Sequence, residues 1–146
     1  MAITTNAIAN SFKKELLEGK HNFTQTTGDV FKLALYTSSA ILGASTTSYT
    51  TDNEVSASGQ YLAGGGALAV GSQQTSVASG VAIVDFADRS FTGVTITARG
   101  ALIYNTSNSN SAVAVLDFGG DKTATAGTFT IQFPAFTTSA AILRIS

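Results

Sequence analysis

The sequence predicts an all-β fold, specifically an antiparallel β-sandwich of jelly-roll kind with one N-terminal α-helix. Three observations carry this expectation. Apolar and polar residues alternate with a period of two in at least five segments. Gly, Asn, Ser and Asp punctuate those segments at the spacing of sandwich turns. Helical periodicity is confined to the N-terminal stretch, so no helix-length crossovers lie between the strands to make them parallel.

The helix is expected from about Thr5 to Glu18, with Thr4 or Thr5 as its cap. Ile8, Phe12 and Leu16 recur every four residues and are joined by Leu17, while Lys13, Lys14, Glu15 and Glu18 take the opposite side. Gly19 stands where a left-handed C-cap belongs. This stripe packs on its own domain in the simpler reading. In the sharper one, Ile8, Phe12 and Leu16 are an interface through which an arm docks on another subunit. The expected organisation is one domain over 1–146, with a helical arm over 1–20 and the sandwich over 28–146.

Past the turn-like "TTGD", the segment "VFKLALYT" sets Phe31, Leu33 and Leu35 against Lys32, Ala34 and Tyr36. "VTITARGALIY", "TFTIQF" and "AAILRIS" alternate in the same way. With "GALAVG", "VAIVDF", "AVAVLDF" and a short strand near "TSYTT", about eight strands are expected. "VAIVDFADR" and "VAVLDFGGDK" echo one another, which places Asp85 and Asp117 at two equivalent corners. "NTSNSN" reads as the exposed tip of a hairpin. Its Asn105-Thr106-Ser107, like Asn22-Phe23-Thr24, matches a glycan acceptor pattern by chance in a chain rich in these residues.

Composition narrows the function. The 146 residues carry a net charge of −1 with only 12% charged side chains, which gives no basic footprint for nucleic acid or an anionic membrane. So few charges also leave little self-repulsion, which favours association and points to a homo-oligomer. There is no cysteine, hence no disulfide or thiolate metal site. The N-terminus lacks a signal-peptide pattern and no stretch has the length of a membrane span, so folding in a cytoplasm is expected.

Nothing reads as a catalytic or cofactor site, and no metal site is expected. The single histidine, His21, has no nucleophile motif beside it and reads as a surface or interface residue. Asp85, Asp88, Asp117 and Asp121 are candidates for a glycosidase pair, but Arg89 or Lys122 lies near each and would hold it ionised. "GGG" at 64–66 lacks the ending of a phosphate loop and reads as a flexible turn.

In combination, "NSFKKELLEGKHNF", "FKLALYTSSA", "NEVSASGQYLAGGGALAV", "VDFAD", "TARGALIYN" and "AVAVLDFGGDKTATAGTFTIQFP" resemble a family of small virion structural proteins of tailed bacteriophages. The resemblance covers nearly the whole chain. One departure is Gly59-Gln60-Tyr61, where such proteins have Gly and Tyr adjacent. The resemblance implies a non-enzymatic virion component, foremost a capsid decoration or cement protein that binds the outer head surface and stabilises the shell. Its partners would be the major capsid protein or other virion proteins, and its location the virion, assembled in the host cytoplasm. A neck, tail or fibre-attachment component and a host-glycan-binding module are the rival expectations.

Overall fold

The computed structural model describes residues 3–69 and 75–146. Its described residues form mostly antiparallel sheet with one short helix. The order is β1 (Ala7–Ile8), α1 (Asn10–Leu17), β2 (Phe31–Tyr36), β3 (Gly66–Ala67), β4 (Thr75–Ala78), β5 (Val81–Val84), β6 (Arg89–Asn105), β7 (Ser111–Ile131) and β8 (Leu143–Ile145). Two open sheets result, one of five strands in the order β1-β7-β6-β2-β3 and one of three in the order β4-β5-β8.

The helix is shorter than its periodicity suggests. Ile8 belongs to β1, which pairs Ala7 with Val115 and Ile8 with Ala114 of β7. Sheet pairing therefore holds the chain extended at Ala7 and Ile8, where the expected helix would have made its first turn. Ala9 is the N-cap instead, without a side-chain bond. The C-terminus is as expected: Gly19 takes φ +72° and its N–H returns to the Leu16 carbonyl. Phe12 is buried but Leu17 is 92% exposed, so the apolar stripe is narrower than the sequence implied.

The large sheet is built on a long hairpin, β6 against β7, of 17 and 21 residues. "AVAVLDF" and "TFTIQF" are thus two parts of one strand. Strands of this length must bend to follow a core, and register shifts at four places along the pair allow it. "TSYTT" contributes only an isolated bridge from Ser48 to Ser111. "GALAVG" contributes the two-residue β3, and its end lies outside the described residues.

Strand β2 is buried on both faces, against the one-sided burial its alternation implied. Phe31 meets the rings of Phe23 and Phe86, and Phe12 meets Phe23, so α1 and these residues cover one face. On the other, Tyr104 lies opposite Lys32 and stacks on Tyr49, and Tyr36 donates to the Thr50 carbonyl. The segment between β2 and β3 is therefore a second cover for the sheet. Its "GGG" is a tight passage: Gly64 and Gly65 adopt φ of +90° and +76°, and a Cβ on Gly65 would run into the Leu33 carbonyl.

Candidate functional site

The predicted interface residues come together on an apolar groove of about 890 Å³ between α1 and the small sheet. Ile8, Phe12 and Leu16 form one wall, and β5 with β8 forms the other. Phe12 is anchored in the core by contacts with His21 and Phe23 at 4.8 and 6.0 Å. Ile8 and Leu16 are half-buried and pack against that core, so their outer surfaces remain available. Exposed Leu17 and Ile145 extend the apolar surface at its rim. Lys13 and Arg144 add positive charge to the lining; among the described residues neither has a carboxylate within ion-pair distance.

Other candidates resolve into structural roles. His21 is buried, not at the surface as its loop position implied. Its Nε2 lies 2.7 Å from Glu15 Oε2 and its Nδ1 is 3.0 Å from the Asn105 amide nitrogen. The amide can only donate, so Nδ1 accepts and the ring proton sits on Nε2, facing Glu15. A carboxylate–histidine pair of this kind resembles part of a catalytic triad, but here Asn105 occupies the nitrogen that would face a nucleophile.

Asn105 also donates to Asp29 Oδ2 at 2.7 Å and accepts from the Ser107 N–H at 2.9 Å. Asn105 is fully buried, which leaves no room for a glycan on the folded chain. "NTSNSN" is a hairpin tip, and its first three residues are fastened inward: Thr106 donates to the Val30 carbonyl and Ser107 Oγ accepts from the Val30 N–H.

The carboxylates do not form the expected pattern. Asp85 follows β5, whereas Asp117 lies inside β7, so the two are not equivalent corners. Arg89 is not Asp85's partner: its guanidinium lies 4.9 Å over the Phe91 ring and against Gly66. Asp85 is 3% exposed, accepts from the Phe86 N–H, and has an Oδ2 without a partner. Burial raises its pKa, with the Asp88 charge adding to the effect. That is the environment of a general acid, but Asp85 does not line the apolar groove. Asp88 instead accepts from the Phe133 N–H, and Asp117 lies 3.6 Å from Arg99, not Lys122.

One further cluster lies outside the motifs that stand out in the sequence. All four tyrosines surround Glu54 or its neighbours: Tyr49 and Tyr61 donate to the two carboxylate oxygens at 2.6 and 2.8 Å. Gly64 N–H adds a third donor at 2.7 Å, and Tyr104 donates to the Gly64 carbonyl at 2.6 Å. The signal was present in "NEVSASGQYLAGGG", where a lone acid precedes Tyr and three glycines. Among the described residues no group of three or more His, Cys, Asp or Glu is placed to hold a metal ion, and no helix is long and apolar enough to cross a membrane. Compared with family models, curated proteins and solved structures, the chain has no match.

Proposed function

We propose that this protein is a non-catalytic structural component of a tailed-phage virion, and most concretely a capsid decoration protein that binds and stabilises the outer head surface. The observation that carries a binding role is the open apolar groove on Ile8, Phe12 and Leu16. The resemblance of the quoted segments supplies the particle. Residues with the character of catalysts, His21 and Asp85, are buried in structural contacts. In this reading the two open sheets act as the halves of a small sandwich-like unit. Its partners are the major capsid protein or other virion proteins, with further copies of itself, and neither nucleic acid nor a membrane.

A near-neutral surface suits close lateral packing, and lattice symmetry multiplies a modest contact into high avidity. Binding that favours the assembled shell over free subunits stabilises the shell by mass action. The test adds purified protein to heads that lack it, then measures copy number and rupture temperature. Saturation at on the order of hundreds of copies with a raised rupture temperature supports decoration, since only the repeated lattice offers so many sites. Localisation to one vertex or the tail would replace it with a neck or tail role. Affinity for host polysaccharide without affinity for shells would replace it with glycan binding.

A further inference from the structure

The groove is bordered by two unfinished sheets. Strand β1 ends the five-stranded order and β8 ends the three-stranded one, so among the described residues each has one side without a ladder partner. Residues of both end strands border the same trough. Ile8, Ile142 and Arg144 line the main groove and also a second cleft, where Asn6 and Ala7 of the β1 side share walls with Ala140 and Ala141. An open edge offers backbone donors and acceptors that a further strand satisfies. The trough thus combines backbone hydrogen-bonding capacity with apolar side walls, the two requirements for recognising an extended peptide.

Charge narrows the occupant. Lys13 and Arg144 line the groove, and no described carboxylate is within ion-pair distance of either. Glu15 on the same helix and Glu18 at its C-cap are already engaged, by His21 and by Lys14 with Lys20. We infer that the trough binds one extended segment of a partner polypeptide, apolar at alternate positions and carrying acidic residues, which adds as a strand along the open edge of β8 facing β1. Its apolar side chains rest on Ile8, Phe12 and Leu16, and its carboxylates lie beside Lys13 and Arg144. This names the recognition chemistry of the face used in the proposed function, but it does not depend on the partner being a capsid.

The probe is a synthetic, end-blocked peptide of alternating valine and threonine with an aspartate at each end, titrated against the full chain. Saturable binding is expected, with slowed amide exchange at Leu143–Ile145 and Ile8. Replacing the aspartates by lysines, or methylating alternate backbone nitrogens, should weaken binding at least about tenfold, because each removes one of the two recognition elements. Arg144→Glu, at an exposed position, should reverse the preference between the acidic and basic peptides. Several results would overturn the inference: no saturable binding up to about a millimolar, equal binding of the methylated peptide, or binding only of a helical leucine–glutamate peptide or of palmitate. Peptide binding without shell binding would reject the virion reading and leave this one standing. Shell binding unaffected by the peptide as competitor and by Arg144→Glu would do the reverse.

Discussion

Tyr61 and Glu54 are joined by a 2.8 Å hydrogen bond that also completes the edge of β2. The Tyr61 hydroxyl donates to Glu54 Oε1 and accepts from the Leu35 N–H at 2.8 Å. Beyond the short β3, a side chain thus takes the place of a missing strand. Val55 N–H does the same for the Leu35 carbonyl at 2.9 Å. Glu54 is the acceptor on which this cover depends.

Glu54→Ala should therefore lower stability by about 3 kcal/mol or more, because it leaves two hydroxyls and one amide without their charged acceptor. Glu54→Gln, which keeps the shape and an acceptor, should cost less. Urea unfolding of both variants checks the order.

The same cluster sets an alkaline limit. Burial pushes all four tyrosines above their ordinary range, with Tyr104 at about 12. The Glu54 charge adds to the shift at each. A phenol whose folded pKa is raised contributes stability that is present below its unfolded value near 10 and is lost at higher pH. Phenolate absorbance should therefore rise together with unfolding, in one cooperative step above about pH 10. A gradual phenolate titration of a chain that stays folded would contradict this.

Asp85 behaves in the same sense at lower pH. Its folded pKa is raised, so the folded state is favoured while the acid is protonated, and that advantage is lost as pH rises through the folded value. Asp85→Asn should raise the melting temperature at pH 7, and the gain should shrink as pH falls toward about 4, the unfolded value. Thermal melts across this range decide it.

Phe12 and Leu17 separate core from surface on α1. Phe12→Ala removes a ring buried among His21 and Phe23 and should cost about 3–4 kcal/mol. Leu17→Glu, at a 92% exposed position, should change stability by less than about 0.5 kcal/mol. Equal effects from the two would mean that α1 packs with a different face inward.

The β-rich class, the N-terminal helix with its Gly19 stop, and the turn between Asn105 and Ser111 are legible in the chain before it folds. These follow from local patterns: a period of two, a period near four, and small polar residues between them. Long-range pairing instead makes Ile8 a strand residue, joins "AVAVLDF" and "TFTIQF" in one strand, and covers β2 twice. Pairing partners come from distant segments, and local propensity does not name them. The same holds for the polar groups. His21 and Asn105 are 84 residues apart, and neither carries a local mark of burial. A buried polar side chain must find its partner inside the fold, so its role is set by where the chain brings that partner and not by its own neighbours in sequence.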